Sequence, residues 1–244
     1  MKSAIITGAS SGIGKTTATL LAKKGYAVVL AARSGEKLTE LEEELKKKGQ
    51  KALAVECDVT KRSDCKNMIT QCLDEFGSID VLVNNAGIMP LSFIKNLHQD
   101  EWDNMIDVNI KGVLNCIAAA LPHMIESRSG HIVNISSIAG IKTYPTASVY
   151  CATKFAIEAI TEGMRIELSD RYNIRTTVIR PGSIDTDLAD SITDQEAVEW
   201  MKKTAPDLEF IGPENVANAI YYALSQPENI AVNEVLVRPQ SQKL

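Results

Sequence analysis

The stretch Thr7-Gly8-Ala9-Ser10-Ser11-Gly12-Ile13-Gly14 stands between a short apolar run, Ser3–Thr7, and a segment of helical spacing that begins near Ile13. Gly8 permits a tight turn off a strand. Gly12 lets the backbone approach a pyrophosphate with no Cβ in the way, and Gly14 lets a helix lie close on the strand. A diphosphate would rest on backbone N–H groups at the positive end of that helix. Gly8, Ser10, Ser11, Gly12, Ile13 and Gly14 are therefore the candidate phosphate site. A second class stays open: Gly14-Lys15-Thr16 matches the end of a nucleoside-triphosphate loop, with Ala9 at that pattern's first glycine. Neither Tyr26–Ala31 nor Val81–Asn84 ends in the Asp that such a loop needs for magnesium.

Beyond the glycine turn, strand and helix patterns alternate. Tyr26–Ala31, Lys51–Glu56, Val81–Asn84, Gly130–Ser136, Ile174–Arg180 and Val232–Val237 read as strands. Leu38, Leu41 and Leu45 fall at helical spacing, and Asp64–Phe76, Gln99–Ile125, Ser148–Tyr172, Glu196–Lys203 and Pro213–Leu224 carry helical periodicity. Apolar strands joined through helices need crossovers, which predicts a parallel sheet with helices on both faces. No linker, repeat or low-complexity tract interrupts residues 1–244. The expectation is an α/β chain in a single doubly wound domain of about seven strands, of the Rossmann type.

Of the 244 residues, 45% are hydrophobic and 23% charged, a globular rather than a disordered composition. A net charge of −5 lacks the basic excess of a nucleic-acid-binding surface. Lys46-Lys47-Lys48 follows Glu42-Glu43-Glu44 on one helix and reads as a solvated face. Five cysteines without a CxxC pair and three unclustered histidines predict neither a disulfide framework nor a metal site. A strand begins close to the N-terminus, and no apolar run approaches the ~18 residues of a membrane span. The expectation is a cytoplasmic protein with no nucleic-acid or membrane partner.

The second strand leads into Ala31-Ala32-Arg33-Ser34. In dinucleotide folds an acid here bonds the ribose 2′-OH, whereas an arginine accommodates a 2′-phosphate. The acid is missing; Arg33 can grip a phosphate with two parallel hydrogen bonds and Ser34 can add a third. The cofactor expected is NADP(H).

Tyr150-Cys151-Ala152-Thr153-Lys154 opens a helix, and i, i+4 spacing sets the phenol and the ammonium on one face. Use of a phenol as a base near neutral pH takes about 4 kcal/mol of stabilisation of its anion. One cation ~4 Å away at an effective dielectric of ~20 supplies about that much. Ser137 follows the fifth strand at its carboxyl end, where open α/β sheets bind ligands. Its hydroxyl can hold a substrate oxygen in line with the tyrosine proton. Ser136 competes for this role, because strand neighbours face opposite ways.

Together these segments closely resemble the short-chain dehydrogenase/reductase family along essentially the whole chain. The resemblance is carried by TGASSGIG at Thr7–Gly14, Asp58-Val59, Asn84-Asn85-Ala86-Gly87, Asn109 in VNIKG, Ser137, YCATK, Pro181-Gly182 and Thr186. It implies an enzyme that moves a hydride between NADP(H) and a small-molecule carbonyl or alcohol, with Asn109, Ser137, Tyr150 and Lys154 as the catalytic set. It also implies that Asp58 and Val59 contact adenine and that Asn85, Ala86 and Gly87 line the cofactor's middle. Pro181, Gly182, Ile184 and Thr186 would flank the carboxamide. Lys154 would bond the nicotinamide ribose, and Asn109 would hold a water linking Lys154 to solvent. A segment of about 186–205 would cover the substrate, and the assembly would be a homodimer or homotetramer. The tail Asn233–Pro239 is similar to that of a narrower group acting on small 3-hydroxy acids such as serine and on aldehydes. Thioester or xenobiotic carbonyls stay open as substrates, as does NADPH binding without turnover. Trp102 reads as packing, Cys151 is turned ~100° from Tyr150 on the helix, Trp200 falls in the cover, and Tyr144 borders the substrate pocket.

Overall fold

The computed structural model describes residues 1–204 and 209–242. Its strands are β1 Ser3–Thr7, β2 Ala27–Ala32, β3 Ala52–Glu56, β4 Val81–Asn84, β5 Gly130–Ile135, β6 Ile174–Pro181 and β7 Glu234–Val237. The helices are α1 Gly12–Lys23, α2 Gly35–Lys47, α3 Arg62–Phe76, α4 Gln99–Ile106, α5 Val113–Ser127, α6 Ser148–Tyr172, α7 Gln195–Thr204 and α8 Pro213–Leu224. All seven strands join one sheet in the order β3-β2-β1-β4-β5-β6-β7, each pair parallel. This is the doubly wound α/β fold expected from the alternation of elements.

Both faces of the sheet are covered because successive strand residues point opposite ways. Ile5 and Val29 pack with Cys65 and Met68 of α3, Cys116 and Met124 of α5 and Ile157 of α6. Ala4, Ile6, Val28 and Leu30 face the other way, onto Ala18 and Leu21 of α1, Leu38 and Leu41 of α2 and Ile220 of α8. Each large side chain so buried stabilises the fold by about 1.5–3 kcal/mol. The strand order reverses between β1 and β4, and at such a switch point the carboxyl ends of the strands diverge into a crevice. The glycine turn after β1 and Asn85 after β4 form its two lips.

Most element boundaries fall within one or two residues of the sequence reading, and two of the shifts accompany specific hydrogen bonds. Tyr26 closes the turn after α1, its N–H donating to the Leu21 carbonyl, and so precedes β2. The Val232 carbonyl accepts the Thr177 hydroxyl at 2.6 Å, which delays β7 to Glu234. The largest departure is within Gln99–Ile125. The single helix expected there is divided by a π-helical turn at Asp107–Gly112. Gly112 packs where an added Cβ would lie 2.6 Å from Val59 Cγ2, and Asn109 bonds the chain after β4. Such turns concentrate at functional positions. Counted through this turn, Gln99–Ser127 is long and apolar enough to cross a membrane, although no single apolar run in the sequence is. Val113, Cys116, Ile117, Ala120 and Met124 on it are buried in the core of the fold.

His131 on β5 is buried, and burial pushes its pKa down to about 3. Thr177 spends its proton on Val232, so the Nε2–H of His131 donates to Thr177 Oγ1 at 2.7 Å. Nδ1 is then unprotonated and has no partner. The unfolded chain accepts a proton near the ordinary histidine pKa and the folded chain does not, so stability falls as pH drops from about 6.5 toward 3. His131→Gln is expected to remove up to about 1.4 kcal/mol per pH unit of that fall. Urea midpoints for both proteins at neutral and mildly acidic pH check it; parallel falls refute it.

Candidate active site

The loop before α6 is held in a strained conformation. Thr146 adopts φ +69°, a left-handed conformation that is costly for a β-branched residue. Its carbonyl accepts the Ser92 N–H at 2.9 Å. Tyr150 follows on the first turn of α6, buried, with the Ser137 side chain near enough to its hydroxyl to lower its pKa. Ser137 lies in extended backbone just past β5, and its Oγ also accepts the Ala139 N–H at 3.1 Å. Ser136 turns the other way, donating to the Lys154 carbonyl at 3.4 Å. Of the two serines, it is therefore Ser137 that stands beside the phenol.

Lys154 is buried one turn further along α6. Its Nζ donates to the Ile135 carbonyl at 2.9 Å and lies 5.7 Å from the Tyr150 ring centre. The electrostatic expectation for this pair needs correction. Burial pushes the Tyr150 phenol up to about 12, against the lowering effect of Ser137, and pushes the Lys154 ammonium down to about 8, with Glu158 opposing. The simple Coulomb sum counted the attraction of the cation and omitted the cost of desolvating both charges. In this state Tyr150 is a held proton, ready to be given rather than taken.

Asn109, in the π turn, clamps the chain after β4. Its Nδ2 donates to the Ile88 carbonyl at 2.9 Å and to Thr153 Oγ1 at 3.2 Å, while its Oδ1 accepts the Ile88 N–H at 2.9 Å. A Cβ on Gly87 would lie 3.3 Å from that Oδ1 and 3.8 Å from Lys154 Nζ, so Gly87 leaves the space between them open. Asn85 Nδ2 donates to the Thr7 carbonyl at 2.9 Å, and Thr7 Oγ1 accepts the N–H groups of Asn85 and Ala86. Thr7, Ile88 and Thr153 are positioning residues that the sequence reading did not single out. Strand alternation gives no reason to mark them, and their role emerges only when β4 comes alongside β1.

The glycine turn fits a phosphate-bearing cofactor. Gly8 and Gly12 hold positive φ, +68° and +51°. Ser11 makes no side-chain cap, and the first turn of α1 carries no acid, so its N–H groups face the crevice uncompensated. A Cβ on Gly14 would lie 2.2 Å from the Gly8 carbonyl oxygen, and one on Gly12 would lie 3.1 Å from Thr186 Cγ2. The turn and Thr186 thus oppose each other across the crevice. Lys15 is exposed, and Thr16 bonds back to the Gly12 carbonyl at 2.9 Å, which leaves neither in the posture of a triphosphate loop.

Arg33 and Ser34 are exposed past the end of β2, and among the described residues Arg33 has no acidic partner. Ser34 makes no cap bond to α2. Asp58 curls its carboxylate onto Thr60, at 3.0 Å to the N–H and 2.8 Å to the hydroxyl. Burial raises this carboxyl, but Thr60, Lys61 and Arg33 together hold it below its ordinary value. Val59 is buried beside it, and Asn115 Nδ2 donates to its carbonyl at 3.0 Å. Pro181 ends β6, the Gly182 N–H donates to the Val237 carbonyl at 2.7 Å, and Ile184 bridges Ile211. The tail covers Gly182, where a Cβ would lie 2.5 Å from Arg238 Cβ.

The segment expected to cover the site contains a 3-10 turn, Asp187–Ser191, and α7; its last residue, 205, lies outside the described residues. It is fastened to the chain before α4. Asp194 accepts the Phe93 N–H at 3.1 Å and Asn96 Nδ2 at 2.8 Å, and caps α7 through the Glu196 and Ala197 N–H groups. Lys95 pairs with Glu196 at 2.6 Å, and Trp200 meets Phe93 edge-on at 6.2 Å. Trp102 donates to Ser92 Oγ at 3.4 Å and packs near Tyr150.

A family model described as short chain dehydrogenase matches residues 2–197. The chain is 47% identical over its whole length to an uncharacterized oxidoreductase of Staphylococcus saprophyticus, of which the match covers 98%. Among solved structures it is similar to an alcohol dehydrogenase of the archaeon Thermococcus sibiricus complexed with 5-hydroxy-NADP. That TM-score is 0.88 at 31% identity, covering 100% of this chain and 99% of the other. A closed form of serine dehydrogenase complexed with NADP+ gives 0.90 at 29% identity, covering 99% and 96%.

Proposed function

The chain belongs to the short-chain dehydrogenase family of oxidoreductases, and we propose that it interconverts a carbonyl compound and its alcohol with NADP(H). The observation that carries this reading is the buried Tyr150 beside Ser137, with Lys154 Nζ over its ring and the Gly87 opening next to that ammonium. When bound, the nicotinamide supplies the hydride for reduction or accepts it in oxidation. Gly8, Ser10, Ser11, Gly12, Ile13 and Gly14 would hold the diphosphate and Arg33 with Ser34 the 2′-phosphate. Asp58 and Val59 would border the adenine, Asn85, Ala86 and Gly87 the middle, and Pro181, Gly182, Ile184 and Thr186 the carboxamide. The NADP-bound structures to which the chain is similar support this cofactor.

In reduction, Ser137 and Tyr150 donate hydrogen bonds to the carbonyl oxygen, and Tyr150 gives its proton as that oxygen becomes an alkoxide. The negative charge left on the phenol is balanced by Lys154, which is also placed to return a proton from solvent through the opening at Gly87, beside Asn109. Oxidation runs the same transfers backward. The likeness to a serine dehydrogenase and the Asn233–Pro239 tail support small 3-hydroxy acids as substrates, and the likeness to an alcohol dehydrogenase supports simple alcohols and aldehydes. Exposed Leu114, Phe155 and Ile166 on α5 and α6 support a homodimer or homotetramer, and five free, buried cysteines support a cytoplasmic setting.

The test is turnover of an aldehyde followed through the near-ultraviolet band of reduced nicotinamide. The expected kcat/KM for reduction is level at lower pH and falls above about 8, as Lys154 loses its proton and can no longer balance the phenolate. Lys154→Arg, whose guanidinium keeps its charge, should lose the falling limb whatever its absolute rate. A limb unchanged in that variant assigns the titration elsewhere and defeats the role given to Lys154.

A further inference from the structure

The Lys154 ammonium is buried, bonds the Ile135 carbonyl, and makes no ion pair among the described residues. A carboxylate nevertheless stands one turn along α6, at Glu158, and side chains at i and i+4 are neighbours on a helix. That carboxylate is committed elsewhere. Arg180, near the carboxyl end of β6, takes it with two parallel bonds, Nε to Oε1 at 3.1 Å and Nη2 to Oε2 at 2.8 Å. The remaining arm, Nη1, holds Glu234 of β7 at 2.6 Å. Both side chains of the Arg180–Glu158 pair are 15% exposed. The pair also lies against the 3-10 turn Ile138–Gly140 that follows Ser137, since a Cβ on Gly140 would lie 2.9 Å from Glu158 Oε1.

The other charges on elements packed against α6 are occupied or distant. The turn Ile138–Gly140 carries none. On the π turn, Asp107 and Lys111 pair with each other at 2.6 Å. On α4, Asp100 and Asp103 are exposed, and Glu101 accepts Thr193 and pairs with His98. On β5, His131 is kept neutral by burial. On β6, Arg175 donates to the carbonyls of Gln226, Pro227 and Ile230. Burial lowers the proton affinity of Lys154, and Glu158 is the charge that opposes it.

We infer that Arg180 is a positioning residue for the catalytic ammonium: by fixing the Glu158 carboxylate against β6, it keeps that carboxylate from capturing Lys154. This role rests on the hydride-transfer reading above and adds a residue to the same site. A buried ion pair contributes little net stability once desolvation is counted, but bidentate geometry fixes where the carboxylate lies. Released from Arg180, Glu158 would turn to the ammonium one turn away. Lys154 would then hold its proton to higher pH and be balanced already, with less charge to offset a phenolate on Tyr150.

The test is the pH profile of kcat/KM for reduction of hexanal by NADPH. Arg180→Gln is expected to move the falling limb up by at least about one pH unit and to lower the plateau about tenfold. Glu158→Gln is expected to move the limb down by about half a unit, because a negative charge leaves the neighbourhood of Lys154. The double variant separates the causes: without Glu158, loss of Arg180 should no longer raise the limb. A limb that stays in place in Arg180→Gln, or that rises as much in the double variant, overturns the role of Arg180 and leaves hydride transfer standing. If Arg180→Gln does not fold, Glu158→Gln decides, since Arg180 there keeps Glu234; an unmoved limb overturns the role. Failure of hexanal to oxidise NADPH in the wild type defeats the hydride-transfer reading, and this role with it.

Discussion

Tyr150→Phe is expected to lower kcat by at least about 1000-fold while NADPH binding stays within about threefold of wild type. A positioned general acid contributes about 10²–10⁴ in rate, and this substitution deletes the phenolic proton while keeping the ring. The ring packs against Leu91, Met105 and Ala147, contacts that phenylalanine retains. Ser137 keeps the Ala139 N–H, so its hydroxyl stays in place. Lys154 remains tied to the Ile135 carbonyl. The loss should therefore appear in kcat, not in cofactor affinity or thermal stability. The deep burial that pushes the phenol up to about 12 makes the prediction sharper, since no other group shown beside Ser137 can supply the proton. A Phe variant retaining more than about a tenth of wild-type turnover would remove Tyr150 from the mechanism.

The fold was legible because its signals are local. Short apolar runs alternate with segments such as Leu38, Leu41 and Leu45, which repeat at helical spacing between Gly35 and Gly49, so element order points to a parallel sheet. The site was legible where chemistry is tied to a fixed spacing, as with Tyr150 and Lys154 on one turn of α6. It was not legible where a role depends on partners distant in sequence. Thr7 acquires its function only from Asn85 and Ala86, 78 and 79 residues later. The π turn at Asp107–Gly112 is invisible to periodicity, because its cause is the Asn109 clamp on Ile88 and the fit of Gly112 against Val59. The tyrosine's proton affinity was misjudged for the same reason. Spacing reports which charge is near, and burial, a property of the whole fold, decides which effect wins.

Arg33→Ala is expected to lower kcat/KM for NADPH about 100-fold and to leave NADH within about threefold. Arg33 is exposed at the end of β2 with no acidic partner among the described residues, so its guanidinium is free to make two charge-assisted hydrogen bonds to a phosphate. Each is worth about 1.5–3 kcal/mol. The residue before it, Ala32, pairs with Glu56 across β2 and β3. The Glu56 carboxylate points at the amino end of α2, 3.1 Å from where a Cβ on Gly35 would lie, and so leaves the place of the ribose-binding acid unfilled. Adding Ala32→Asp to Arg33→Ala should therefore do two things at once, repelling a 2′-phosphate and offering a carboxylate to a 2′-hydroxyl. The NADPH-to-NADH ratio of kcat/KM is expected to fall about 1000-fold or more in the double variant. Ionic strength separates this cause from a general disturbance of the loop. An exposed pair is screened by salt, so wild-type affinity for NADPH should weaken as salt rises and that for NADH should not, and Arg33→Ala should abolish the difference. If Arg33→Ala weakens both nucleotides equally, the arginine supports the loop and does not read the phosphate.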